Sequence, residues 1–447
     1  MHPAKFNVSL FLQQKRWRKR CSRLRTAMLR KRARARAEEH RLIRLTSFGK
    51  HSVLIDLLAK VHTKAPPSQG SLIELTVPKT FSMLTEPALA ISMVAAFAKS
   101  IRGMLPRAIK VDMSKVIEQD LGAHVLLDKL VDEIDQEAKA SLREIRWSGN
   151  YPENPPMARF VRAMGIVKQL GVEHEYPGPS EQAKLKIFQR HCRHYVVAIR
   201  PTSADDRSIA VQRFAEHMDS CLKNAKRRLT PLARAKLCDY VGEIIDNAIQ
   251  HAGMNDWTIQ GYLDTSLATP MCEIVILNFG KSFAETLEEL PSDSYTTEQI
   301  TGYLDRHAKG GFFNRTWNRE ALLTLIALQG MVSSKNRSKV DTRGQGTADL
   351  IEFFQKVHDE CNGHAGSEKA RMSIISGGTR IVFDGTYRIK PNENRTRIIA
   401  FNAQNDLYSP PDAKYVTSLQ GTRLPGTLIA IQFPLSAGNT TGEAKNG

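Results

Sequence analysis

EIIDNAIQHA, Glu243–Ala252, decides how the second half of this chain is read. On a helix of 3.6 residues per turn, Leu237, Val241, Ile244, Ile245, Ala248 and Ala252 gather on one side, while Glu243, Asn247 and Gln250 fall within a narrow arc on another. A helix over Pro231–Ala252 can therefore pack on a sheet and still present a polar row to a pocket. A carboxylate and a carboxamide one turn apart can orient a water and offer an amide oxygen to a hard cation. Taken alone, Glu-x-x-x-Asn is common on wet amphipathic helices, so its weight depends on the elements downstream of it.

After that helix, CEIVILNFG (Cys272–Gly280) predicts a buried strand that ends in a glycine turn. Without a Cβ at Gly280, backbone can approach a ligand there. Further on, RGQGTADLIEFF places Gly344 and Gly346 just before a helix that opens at Thr347. Free N–H groups and the positive end of the helix dipole favour phosphate at such a place. Arg343, directly before the glycine pair, and Lys335 are the basic side chains best placed to reach a terminal phosphate. Strands are expected at Met372–Ile375, Thr379–Asp384, Arg397–Phe401 and Thr427–Phe433. The layout is α+β, an antiparallel mixed sheet covered by helices.

These elements, in this order, resemble the GHKL superfamily of ATPases, the group of gyrase, Hsp90, MutL and histidine-kinase catalytic domains, over about Leu222–Leu435. EIIDNAIQHA matches the asparagine box, VILNFGKSF the strand-then-glycine element, RGQGTADL the third box and GTLIAIQFP the last Gly-Thr strand. The resemblance implies a Bergerat α/β sandwich that binds ATP and Mg²⁺. It gives Asn247 the metal ion and makes Glu243 the candidate catalytic base. Asn278, Gly280, Arg343, Gly344, Gly346, Thr347 and Thr427 would line the nucleotide site, and Glu285–Val340 would form a mobile lid. Two positions depart from the family's Asp-x-Gly-x-Gly: Asn278 replaces the Asp that accepts the adenine amino group, and Ser282 replaces the second glycine. A neutral amide oxygen still accepts that hydrogen bond, but more weakly.

The first half alternates differently. Strand-like Ser71–Pro78, Ala108–Ser114 and Arg143–Gly149 are interleaved with helical Glu86–Met104, Leu121–Ala140 and Pro156–Leu170, which predicts a small α/β domain. Its pattern loosely resembles a STAS domain of the anti-anti-sigma type, although EQDLGAH carries Leu121 and Gly122 where that group has its phosphorylated serine run. Asp112, at a strand end, reads as a cap. A Pro/Gly-rich break at Tyr176–Pro179 separates the halves. The expected organisation is a basic arm (1–68), the α/β domain (69–175), the ATP-binding domain with connecting helices, including a strand at Val196–Arg200 (180–435), and a frayed tail (436–447).

Lys15–Arg44 holds 14 Lys or Arg against Glu38 and Glu39, a local +12 of the chain's +18. Such an arm could meet nucleic acid or an anionic membrane surface, or be a solvated extension. The longest apolar run, Ala88–Ala98, is shorter than the roughly 18 residues a membrane span needs, so a cytoplasmic location is the default expectation. Six cysteines without a regular spacing fit reduced thiols. His358, Cys361 and His364 lack an evident fourth metal ligand. His217 has no following proline and lies close ahead of Glu243, which argues against a phospho-acceptor histidine. Two roles are therefore expected. One is an ATPase whose lid closure regulates a protein partner or homodimer interface. The alternative is a protein kinase of the anti-sigma-factor type, or a nucleotide-dependent binding module without turnover.

Overall fold

The computed structural model describes residues 52–63, 71–102, 104–182, 184–193, 204–223, 227–229, 256–266, 271–308, 317–330, 332, 345–361, 370–391, 396–434 and 440–442, with scattered positions of 231–245. The chain divides into two compact units, 1–51 with 136–144, and 52–135 with 145–447. Of the first, only 136–144 is described: the last turns of a helix and a bend at Leu142, whose φ is 56°. The second unit holds every other described element.

The hydroxyl of Ser52 accepts the Ile55 N–H and so starts α1 (Val53–Lys60). Next along the chain are β1 (Leu72–Thr76), β2 (Thr80–Phe81), α2 (Pro87–Ile101), β3 (Ala108–Asp112), β4 (Glu118–Gln119), α3 (Leu121–Ala140) and β5 (Arg146–Asn150). Pro87 occupies the first turn of α2, where its missing N–H costs nothing. Asp120 caps α3 by accepting the Ala123 N–H at 2.9 Å. β1, β3 and β5 form a parallel sheet in that order, with Ile73, Leu75, Ile109 and Val111 buried on one face. The helix expected over Pro156–Leu170 is two, α4 (Pro155–Met164) and α5 (Ile166–Gln169), broken at Gly165. A Cβ on Gly165 would lie 3.0 Å from His124 Nδ1, so a side chain here would push the His124 ring aside by a few tenths of an ångström.

After α6 (Pro179–Gln182), β6 (Leu185–Arg193) is a strand that composition did not announce, whereas the strand expected at 196–200 lies outside the described residues. Then come α7 (Ala204–Lys223), β7 (Arg227–Leu229) and helical positions between 231 and 245. The hairpin of β8 (Asp256–Asp264) and β9 (Met271–Phe279) leads into α8 (Phe283–Glu288), α9 (Tyr295–Ala308), α10 (Arg319–Ala327) and α11 (Gln345–Cys361). The remaining strands are β10 (Arg371–Gly377), β11 (Thr379–Phe383), β12 (Lys390–Pro391), β13 (Arg397–Ile398), β14 (Val416–Ser418), β15 (Leu424–Pro434) and β16 (Thr440–Gly442). The fold is α+β. Its main sheet, wholly antiparallel, has the order β14-β11-β10-β15-β9-β8-β6.

Side-chain alternation divides that sheet into two buried faces. On one, Ile259, Ile276, Ile429, Ile374 and Ile381 pack with Phe214 of α7, Val241, Ile245, Leu325 of α10, and Ala348, Ile351 and Phe354 of α11. On the other, the α/β half is fastened by polar contacts. Glu273 Oε1 of β9 accepts the Leu121 N–H at the start of α3 at 2.9 Å, and Lys129 of α3 pairs with Asp256 of β8 at 2.8 Å. Arg380 of β11 donates to the Leu84 carbonyl, Arg159 of α4 pairs with Asp264 at 2.9 Å, and Phe160 packs edge-on to Tyr262. The described residues contain no helix long and apolar enough to cross a membrane.

Candidate functional site

One end of the main sheet, on the face covered by α7, α10 and α11, changes from apolar to polar within a single row. Strand register aligns Trp257 with Asn278, Asn278 with Thr427, Thr427 with Ser376, Ser376 with Thr379, and Thr379 with Ser418. One row inward the same strands carry Ile259, Ile276, Ile429, Ile374, Ile381 and Val416. A strip of amide and hydroxyl groups therefore borders the hydrophobic core where the strands end.

Glycines make this end possible. Gly280, just past Asn278, has φ 124° and donates its N–H to the Pro425 carbonyl at 3.2 Å. Gly426 has φ 141°, and a Cβ there would press into the Asn278 carbonyl oxygen. Both are backbone states that side chains rarely adopt, and together they let β9 and β15 close on each other. Gly377, with φ 59°, opens a two-residue hairpin loop with Gly378, and that loop sets Ser376 opposite Thr379.

The hydroxyls are partly committed to the frame. Ser376 Oγ and Thr427 Oγ1 are 2.7 Å apart, and Ser376 Oγ accepts the Phe283 N–H at 2.8 Å. Ser282, where the resemblance expects a glycine, forms a capping box with Glu285 that starts α8. The carboxylate of Glu285 is held below its usual range, its burial being outweighed by the Ser282 N–H and the Arg423 guanidinium. Arg423 pairs with Glu285 at 2.6 Å and with Glu320 at 3.6 Å, while Glu320 accepts the Gly378 N–H at 2.7 Å. A small ionic clamp thus fixes the hairpin loop to α8 and α10.

Other groups of the row are uncommitted. The Asn278 amide, 9 % exposed, makes no hydrogen bond with another described residue. The Trp257 indole N–H and the Thr379 hydroxyl are buried with no partner among the described residues. A buried polar group without a partner is costly, and two of them, Trp257 and Thr379, stand in this one row.

Of the residues expected from sequence to act together, Asn278, Gly280 and Thr427 meet here. The helix expected to open at Thr347 starts at Gln345, so Gly346 lies inside the first turn of α11 with Thr347 rather than ahead of it, and Ala348, Ile351 and Phe354 share the core beneath the row. Glu243, Asn247, Lys335, Arg343 and Gly344 lie outside the described residues. The described helices of Glu285–Val340 pack together through Leu287, Ile300, Tyr303, Leu304, Leu322, Leu323 and Ile326, joined by Ala284, while Ala321 and Leu325 of α10 belong to the main core. Asp112 caps a turn, accepting the Ser114 N–H at 3.1 Å and a hydrogen bond from Asn150; the Ser114 hydroxyl first, then these two donors, hold its carboxyl below the ordinary value. Cys361 and His364 have no described side chains, and the described residues hold no group of three metal-ligating side chains.

Sequence reasoning overlooked Trp257, Ser376 and Thr379. The Gly-Gly between two apolar runs at Ser376–Thr379 is a hairpin signal that would have placed the last two opposite each other. Trp257 needed the β8–β9 register, which Gly261 in mid-strand obscures. Compared with known proteins, the chain matches no family model, no curated protein and no solved structure.

Proposed function

We propose that the chain is an Mg²⁺-dependent ATP-binding protein with a GHKL-type Bergerat domain, and that slow hydrolysis resets a nucleotide-driven change at a partner or dimer interface. The observation that carries this reading is the direct cross-strand pairing of Asn278 with Thr427, beside Gly280 and Gly426. These residues come from motifs about 150 positions apart in the sequence, the strand-then-glycine element and the last Gly-Thr strand. Their meeting at one sheet end, on the face that helices cover, is what a nucleotide pocket of that kind requires. In this reading Asn278 accepts the adenine amino group and Thr427 supports it from the neighbouring strand. Asn247 holds Mg²⁺, Glu243 activates water, and the first turn of α11, with Gly346 and Thr347, receives phosphate together with Gly344 and Arg343. ATP and Mg²⁺ are the cofactors implied.

The parallel β1-β3-β5 sheet with its α2 and α3 crossovers supports a STAS-like reading of the first half. That half rests on the sheet face opposite the proposed pocket, a position suited to passing a change in β8 or β9 to a partner.

Thermal unfolding of the full chain tests the binding claim. Mg·ATP at about 100 times its dissociation constant should stabilise the protein by roughly 2.7 kcal/mol, and Mg²⁺ alone should not. Glu243→Ala should keep that stabilisation and abolish phosphate release. An unchanged melting curve with Mg·ATP would overturn the reading.

A further inference from the structure

We infer that Trp257 reads the nucleobase in this site: its indole N–H donates to N1 of adenine while the Asn278 amide oxygen accepts from the adjoining amino group. The inference rests on the proposed nucleotide binding and adds to it a residue that the family motifs do not include.

Trp257 and Asn278 are direct partners across the β8–β9 ladder, on the same face of the sheet. Side chains so paired start about 5 Å apart at Cβ, close enough to converge on one edge of a planar heterocycle. Both have uncommitted polar groups. Trp257 is 2 % exposed and its N–H has no hydrogen-bond partner among the described residues, whereas buried indole N–H groups usually find one. Screened from solvent by its neighbours, that donor is left for a group that enters at the core's edge. The Asn278 amide stands beside it, similarly unpaired among the described residues.

Their chemistry selects one edge. Indole N–H is a donor only, and the amide supplies an acceptor. Donor and acceptor side by side match the N1 and amino positions of adenine. Guanine reverses both: the Asn278 amide could flip to meet the carbonyl, but the Trp257 N–H would then face the guanine N1–H, donor against donor. Trp257 thus restores the base selectivity that a neutral Asn278 gives up, because an amide alone accepts either edge by flipping.

Titration calorimetry of the full chain with Mg²⁺ complexes of ATP, GTP and 1-deaza-ATP tests this in wild type and Trp257→Phe, which keeps an aromatic ring and removes the donor. The expected result is that Trp257→Phe binds ATP roughly tenfold more weakly and discriminates less against GTP. Wild type should lose about the same factor with 1-deaza-ATP, and the variant should lose nothing more. An unaltered ATP affinity in Trp257→Phe, or an equal 1-deaza penalty in both proteins, overturns the role of Trp257 while leaving nucleotide binding intact. If wild type binds none of the nucleotides, the proposed nucleotide binding itself fails and this inference with it. Should the variant not fold, the wild-type protein decides: equal affinity for ATP and 1-deaza-ATP overturns the inference.

Discussion

At the scale of single residues, the site depends on two positions where chemistry and backbone are both constrained. Asn278 has no charge with which to hold an amino group, and a hydrogen bond to a charged acceptor contributes about 1.5–3 kcal/mol against about 1 for a neutral one. Asn278→Asp should therefore tighten Mg·ATP binding by roughly tenfold and widen the preference over GTP, as read by calorimetry; weaker binding would show that the amide is not the base acceptor. Gly426 is constrained by geometry, since its φ of 141° and the abutting Asn278 carbonyl exclude a Cβ. Gly426→Ala should cost more than the about 1–3 kcal/mol of backbone strain alone, because the β9–β15 closure must also open. A urea midpoint equal to wild type would contradict that account. Ser282 has a local reason of its own: where the resemblance to GHKL ATPases expects a glycine, a capping serine begins α8.

At the scale of elements, α3 and the sheet beneath it bury an unusual amount of charge. Lys129 and Asp256, 2.8 Å apart and almost wholly buried, join helix to strand. Removing one partner strands the other, so Lys129→Met should destabilise by about 3–5 kcal/mol, and adding Asp256→Leu should recover much of it. Equal losses in the single and double variants would contradict this. Burial, with Asp120 nearby, pushes the Glu273 carboxyl up from 4.5 to about 8, and burial pushes His124 down from 6.5 to about 3. For these two groups the signs are opposite. Above pH 6.5 the folded chain still holds the Glu273 proton that the unfolded chain has lost, so stability falls as pH rises to about 8. Below pH 4.5 the unfolded chain binds the His124 proton that the folded chain refuses, so stability falls toward pH 3. Between 4.5 and 6.5 the contributions of these two groups cancel, while the buried carboxyls of Asp120 and Asp128, raised by desolvation, still favour lower pH. Denaturation midpoints measured across pH should fall from 6.5 to about 8 less steeply in Glu273→Gln than in wild type; an unchanged slope in the variant would assign the decline to other groups.

At the scale of the whole molecule, what the sequence reveals is local pattern, and what it hides is register and docking. Leu121–Ala140 is legible as a helix to the residue, and β9 nearly so, because uninterrupted periodicity marks both. The α+β class comes from their order. β6 and β8 are not legible, since β6 mixes Lys, Gln, Arg and His into its length and Gly261 interrupts β8. Nor can composition foretell that the α/β half covers the back of the main sheet, because the contacts that fasten it, Glu273 to Leu121 and Lys129 to Asp256, join residues more than a hundred positions apart. Of the candidate site, Asn278, Gly280 and Thr427 can be named from motifs, whereas Trp257, Ser376 and Thr379 enter only through strand pairing. The described helices of the expected lid are tied to the sheet: α10 gives Ala321 and Leu325 to the main core and Leu323 to a second core with Tyr303 of α9, and the Phe283 N–H at the start of α8 donates to Ser376 of β10. The most direct test of the central claim is titration calorimetry of Mg·ATP into the full chain, with Asn278→Ala and Asn247→Ala as comparisons. The account predicts saturable one-to-one binding that each substitution weakens at least tenfold; heat of dilution alone from the wild-type protein would contradict it.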